Sequence, residues 1–422
     1  MAPRNTGVWG GTVVTSRPIG YRGIFRNTEF RALFAAQTIS IIGDQFARVA
    51  LSVLVFDRTG SPAWTALTYG LTFLPDLVGG PLLSGLADRH PRRGLMVGAD
   101  LTRAGLVGLM AVPGMPIWLL CVILVAVQLI SAPANAARGA LLPAVLGEDD
   151  YPAGQAALQS VTQAAQVIGF AGGGALVATI GTGGVLLADA GTFAASALLV
   201  WGLVLARPSA GDTDPERRAW WPDFVAGSRL VWTDRRLRAL VLFACLGGFY
   251  IVGEALAAPY AEALGNGAVA VGFMFAGYAA GAAVGMLVLA RLPKPVRLRL
   301  LPPLAVASCV PLVLCFTDPG LVFVVALFVA SGVGSAYQVI ASTTFVLAVP
   351  DTRRGQAFGL AVTAIKVSQG LGVTLAGLAA EGIAPHQVVG TAGVLGVLAA
   401  VAVVWSWRTA GGRTDSLAGQ PA

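Results

Sequence analysis

Five ionisable side chains stand where a water-soluble protein would not put them. Asp44, Arg48, Asp76, Glu254 and Lys366 each lie inside a long apolar run. A charge in the middle of such a run costs about 2.5–3.5 kcal/mol on insertion scales, so residues of this kind line aqueous pathways or pair with one another. The chemistry open to them is the uptake and release of protons and the making and breaking of ion pairs. Nothing in the sequence points to covalent chemistry or to an enzyme. Depth follows from the helical rise: Asp44 is roughly 20 Å beyond Arg31, Asp76 roughly 18 Å before Asp88, Lys366 roughly 18 Å beyond Arg354 and Glu254 roughly 24 Å beyond Arg238. All fall near the middle of a hydrocarbon layer about 30 Å thick. Asp44 and Glu254 are the expected proton carriers. Desolvation disfavours the charged form of a carboxylate, whereas Arg48, one turn after Asp44, supports it. The other reading of Asp44 and Arg48 is a neutral pair that serves helix packing. Gln128, Asn135, Gln163, Gln338 and Gln369 are expected either to complete a substrate cavity or to join helices by hydrogen bonds.

The elements that must hold these residues are membrane-spanning helices. Hydrophobic residues make up 56% of the 422, and charged residues only 12%, about half the share found in soluble domains. Twelve runs reach the roughly 20 apolar residues that a spanning helix needs, from Phe30–Phe56 to His386–Trp407. They are too long, and alternate too little, for barrel strands. The expected fold class is an all-α membrane protein, twelve transmembrane helices in two six-helix bundles. Residues 1–27 read as a polar cytoplasmic tail, 28–206 as the first bundle, 207–238 as a central cytoplasmic loop, 239–407 as the second bundle and 408–422 as a second tail. Among the 28 basic residues, Arg58 alone falls in a loop on the side opposite the termini. Basic loops stay in the cytoplasm, so both termini are expected there and the net charge of +7 reports topology, not nucleic-acid binding. Only two basic residues are lysines, a codon preference that suggests a GC-rich bacterial genome and hence a bacterial cytoplasmic membrane.

Several function classes drop out. Lys294 precedes a proline and Lys366 a valine, so there is no phosphate-binding loop ending in Lys-Ser or Lys-Thr. Two histidines, His90 and His386, do not make a three-histidine metal site. Cys121, Cys245, Cys309 and Cys315 sit in apolar runs and read as small hydrophobes. No cofactor or metal is expected. An ion gradient is the expected energy source, with protons, a small molecule and the bilayer as the only partners of a monomer.

The connection after the second span reads Ser84-Gly85-Leu86-Ala87-Asp88-Arg89-His90-Pro91-Arg92-Arg93. It resembles the G-x-L-A-D-R-x-G-R-R loop of the major facilitator superfamily, with Ser84 and Pro91 in place of two glycines. Gly43-Asp44, Asp100-Leu101-Thr102-Arg103-Ala104, Arg138-Gly139-Ala140-Leu141-Leu142-Pro143, and Asp189 with Phe193 resemble the macrolide-efflux and enterobactin-exporter branch of its drug:proton antiporters. Gly169-Phe170-Ala171-Gly172-Gly173-Gly174 is similar to the antiporter sequence G-P-x-x-G-G, with Phe170 at the proline position; plain glycine packing is the other reading. The resemblance implies a cytoplasmic gate of Asp88, Arg89, Arg92 and Arg93, in which Asp88 meets the N-terminus of span eleven, with Asp100 and Arg103 bracing Arg92 or Arg93. It also implies that spans two and eleven face each other, making Asp76 and Lys366 a candidate ion pair.

The expected function is secondary active transport, a proton-coupled export of a small amphipathic compound by rocking of the two halves about a central site. An importer, a lipid or metabolite carrier, and a non-transporting sensor of the same fold stay open at this point. The gate reading has its own test. Well-expressed Asp88→Asn is expected to slow transport, and a normal rate in that variant removes the gate.

Overall fold

The computed structural model describes residues 21–73, 90–207, 231–349 and 354–409. Among these residues every regular element is helical. Helix α1 (Thr28–Thr59) starts where the Asn27 side chain accepts hydrogen bonds from the backbone N–H groups of Glu29 and Phe30, and stops at Gly60 in the left-handed conformation, the usual chemistry of a helix start and stop. Helix α2 (Pro62–Gly70) is capped by Ser61, and α3 (Arg92–Met110) follows. After α4 (Ile117–Gly147) comes an apolar stretch, Asp149–Leu203, of 55 residues. As one helix it would be about 80 Å long, far more than the roughly 30 Å hydrocarbon core. Gly181, at φ 71°, divides it into α5 (149–180) and α6 (182–203), and Gly147, at φ 76°, separates α4 from α5. Glycine takes that conformation without a side-chain penalty, so the two turns fall on glycines.

The second half comprises α7 (235–263), α8 (Ala268–Ala290), α9 (Lys294–Thr317), α10 (Leu321–Ala348), α11 (Arg354–Ala379) and α12 (Pro385–Thr409). Helix α7 begins earlier than expected, at Arg235, because Asp234 accepts hydrogen bonds from the N–H groups of Arg236 and Leu237. The connection expected over 207–238 therefore ends at Asp234. Nine helices among the described residues are long and apolar enough to cross a membrane, one of them the stretch that Gly181 divides. The expected count of twelve depends also on residues 74–89, which lie outside the described residues.

The outer surface is built for lipid. Val322 is 80% exposed and Phe323 69%, a cost in water that hydrocarbon does not impose. Trp64 and Trp118 are exposed near the ends of α2 and α4 on one side, and Trp201, Trp232 and Trp405 near the side of the termini, as two interfacial aromatic belts require.

The halves meet along two seams, α5 against α8 and α2 against α11. On the side away from the termini both seams are shut. A Cβ on Gly174 of α5 would lie only 2.7 Å from the Ala268 carbonyl oxygen and 3.0 Å from the Gly272 Cα of α8, so the two helices touch backbone to backbone. Phe170 and Phe275 continue that seam inward with ring centroids 5.0 Å apart. At the other seam the Glu381 carboxylate, just past α11, accepts hydrogen bonds from the Ser61 hydroxyl and, at 3.0 Å, from the Ala63 N–H at the start of α2.

Two outcomes follow for spin labels on Thr182→Cys and Asn266→Cys, which report the separation of the halves on this side. Gly174→Val overpacks a backbone contact, a change that costs about 1–3 kcal/mol, and is expected to move the distance distribution outward; an unchanged distribution would separate the Gly174–Gly272 contact from closure. The hydrogen bonds from Ser61 and Ala63 hold the Glu381 carboxyl below its usual range. A group whose pKa is depressed in the closed form stabilises that form above its ordinary value and stops doing so as pH falls through the depressed one. The closed population is therefore expected to stay flat down to about pH 5 and to fall below the ordinary glutamate value of about 4.3. In Glu381→Gln that acid-dependent component disappears, and its persistence would assign it to another group.

Candidate functional site

The first half encloses a cavity of about 70 Å³ lined by Asp44, Arg48, Thr72, Gln128 and Asp189 among others, with Tyr69 on its wall. One water needs some 10–15 Å³ of such space, so the cavity has room for a handful of waters. Drug-sized ligands occupy about 300–1,000 Å³, so in this conformation it is a place for water and protons.

Its floor is a charge network spread over α1, α3 and α6. Arg103 donates to both carboxylate oxygens of Asp44, at 3.0 and 3.3 Å, and lies 3.8 Å from Asp100. Its guanidinium stacks 3.8 Å over the Phe193 ring. Ser196 donates to Asp100 at 2.7 Å, and Thr192 to Asp189 at 3.1 Å. The Arg103 side chain is 7% exposed while Asp44 keeps 33%, so Asp44 is the more open partner of that ion pair toward the cavity. Gly43 makes the arrangement possible: a Cβ there would overlap the Asp189 carboxylate and the Thr192 hydroxyl, so glycine lets α6 bring Asp189 against α1.

Two expected pairings give way here. Asp44 pairs with Arg103 across helices instead of with Arg48 along its own, because the buried, ring-stacked guanidinium reaches two carboxylates at once. Asp100 and Arg103 serve this network and do not brace the loop arginines. Arg92 instead donates to the Ala140 carbonyl of α4 at 2.9 Å, and Arg93 to the Trp201 carbonyl of α6, which ties the start of α3 to its own half. Asp88 and Arg89 lie outside the described residues.

At the other end of the cavity the site crosses between halves. Tyr69 of α2 donates a short hydrogen bond to the Glu254 carboxylate of α7, and both residues are 6% exposed. The Arg48 charge acts on both groups. Helix α7 is tightened around this point: it breaks at Leu246, Ile251 and Leu256, with N–H groups bonding three residues back, from Glu254 to Ile251 at 3.1 Å and from Phe249 to Leu246 at 3.0 Å. Mid-helix turns of this 3₁₀ kind often mark hinges.

The remaining candidates are scattered. Lys366 of α11 sits 5.0 Å from the Phe73 ring just past α2, so these two segments do face each other, while Asp76 lies outside the described residues. The Gln338 amide donates at 2.9 Å to the Ala244 carbonyl and to the Tyr250 hydroxyl, a helix-joining role within the second half, and Gln369 approaches the same region at Gly247. Gln163 reaches the Met286 sulfur at 3.8 Å across the α5–α8 seam. Asn135 is exposed and accepts from Arg138 at 3.5 Å, away from the cavity. Tyr69 carried no signal in the sequence beyond its place in an apolar run. Asp189 did, since an acid inside a span meets the same criterion that selected Asp44.

The comparisons with known proteins agree with this architecture. The family profile of the Major Facilitator Superfamily matches residues 33–316 and 239–421. Macrolide efflux protein A of Streptococcus pyogenes is 28% identical over 125 residues, 29% of this chain and 31% of that protein. The uncharacterized MFS-type transporter YfiS of Bacillus subtilis (strain 168) is 29% identical over 180 residues, 42% of this chain and 43% of that one. The aligned stretches thus span under half the length of these relatives. Among solved structures, the nucleoside transporter NupG superposes with a TM-score of 0.70 at 13% identity, over 89% of this chain and 99% of that one. A bacterial homologue of the iron transporter ferroportin in its inward-facing state gives 0.64 at 14% identity, over 91% and 99%. With both helical bundles matched by one family profile and the whole fold shared with solved transporters, the chain belongs to the Major Facilitator Superfamily.

Proposed function

We propose that this transporter is a proton-coupled exporter of a small amphipathic compound. The observation that carries the coupling is the arrangement of acids about one small wet cavity: Asp44 faces it from the first half, and Glu254 of the second half is bonded to its wall through Tyr69. Asp44, Asp100 and Asp189 share the buried network with one guanidinium in direct contact, Arg103, and a second, Arg138, acting at longer range. With Arg48 lining the same cavity, three acids stand against three bases, so a proton taken up by Asp44 would change the charge balance of the cavity. Export and an amphipathic cargo rest on the likeness to Macrolide efflux protein A. The arginine-rich connections put the termini in the cytoplasm, which makes the sealed side the extracellular one. Substrate would then enter from the cytoplasm and leave when the Gly174–Gly272 and Ser61–Glu381 contacts part.

Cells overproducing the protein are expected to accumulate less of an amphipathic macrolide or dye than control cells, and a protonophore is expected to abolish the difference. Asp44→Asn and Glu254→Gln are each expected to lose gradient-driven export while retaining downhill exchange in proteoliposomes. Protonophore-resistant export, or an unaltered pH dependence in both variants, would defeat the proton-coupled reading.

A further inference from the structure

A second recess lies away from the charged cavity, in the second half, between α8, α9 and α10. It has a volume of about 320 Å³, walled by apolar side chains that include Met286, Leu289, Ile340 and Leu347, with Lys294 and Arg297 at one end. Leu347 is 63% exposed and Val339 43%, so the wall belongs to the lipid-facing surface and the recess opens toward the bilayer. The hydroxyls of Thr343 and Thr344 are already spent on backbone carbonyls one turn back, each at 2.7 Å, which leaves the interior without polar groups seeking a partner. The two cations sit in the opening turn of α9, on the side of the termini, where the headgroup layer begins. Among the described residues no acidic side chain pairs with either, and the Arg297 Nε is shielded from solvent with no hydrogen-bond acceptor.

An apolar slot closed at the headgroup level by two uncompensated cations is complementary to one kind of molecule in a membrane, an acidic lipid. We infer that this recess holds an anionic phospholipid of the leaflet on the side of the termini, its acyl chain along α8 and α10 and its phosphate between Lys294 and Arg297. Basic pockets between transmembrane helices bind anionic headgroups on the same grounds. None of its residues lines the charged cavity of the first half or belongs to the charge network there.

The test measures lipid retained by the full-length protein purified in neutral detergent, with phosphatidylglycerol and phosphatidylcholine of identical acyl chains as probes. Phosphatidylglycerol is expected to be retained over phosphatidylcholine by roughly thirtyfold, the worth of about two cations at a membrane surface. The double variant Lys294→Ala with Arg297→Ala is expected to lose that preference, and Thr343→Trp, which fills the slot without altering charge, to lose retention. Arg291→Ala, on an exposed neighbour outside the recess, is expected to keep both. Equal retention of the two lipids, a preference that survives the double variant, retention that survives Thr343→Trp, or an equal loss in Arg291→Ala would each overturn the inference. Full displacement by millimolar inorganic phosphate would also overturn it, by making this a site for a free anion.

Discussion

Arg103 is the interaction on which the first half depends. A lone carboxylate in the middle of a bilayer is expensive, and α1, α3 and α6 each bring one. One guanidinium, donating to Asp44 and lying 3.8 Å from Asp100, offsets much of that cost and fixes the rotation of three helices about one another. The arrangement requires an unusually close approach, which Gly43 provides. Burying an ion pair is a weak source of stability, but removing one partner of a buried pair is costly. The network therefore constrains which changes the helices tolerate more than it strengthens the fold. Its exposed edge, Asp44, faces the cavity. A network that neutralised every carboxylate equally would be a strut; one that leaves an acid facing a cavity has a site.

The two halves are chemically unequal. The first holds the cluster of acids and arginines. The second contributes Glu254 and Lys366 to an otherwise apolar or amide-joined interior, where Gln338 binds the Ala244 carbonyl and the Tyr250 hydroxyl. What joins them includes a glycine contact at Gly174 and Gly272, a carboxylate cap at Glu381, and a phenol at Tyr69. Toward the outer end the seam is built of glycine backbones and a few hydrogen bonds, and deeper in it is filled by Phe170, Phe275 and Tyr69. Transporters of this kind work by rocking one bundle against the other across such a seam.

The sequence made the helices and the acids within them legible, because both follow from one-dimensional quantities: run length, and position within the run. Asp44 and Glu254 were singled out that way, and the helix ends at Ile117, Ala290 and Ala379 fell within a residue of their expected places. Partner choice was not legible. Arg48 is one turn from Asp44 on the same helix, yet Asp44 pairs with Arg103, more than fifty positions away, since pairing depends on how α3 is rotated against α1. The amides show the same limit. Gln338 satisfies its donors inside the second half and Asn135 turns outward to Arg138, distinctions that depend on helix azimuth and leave no trace in composition. The start of α7 at Arg235 was missed because three arginines in four residues read as loop, although Asp234 before them is an ordinary N-cap.

Tyr69 gives the proposed cycle a physical link between protonation and movement. Its hydroxyl donates to Glu254 from the opposite half, so the bond exists only while α2 and α7 stand together. Hydrogen bonds to an ionised acceptor are about twice as strong as neutral ones, and the negative form of Glu254 therefore holds the halves closed on this side more firmly than the neutral form does. A proton arriving at Glu254 weakens a contact that belongs to one conformation alone. That is the differential interaction any ligand needs in order to shift a two-state equilibrium. The segment that would absorb the motion is at hand, since α7 is already wound into short, tightened turns on both sides of Glu254. Arg48 lines the same cavity as Asp44, one turn further along α1, with Tyr69 on the cavity wall.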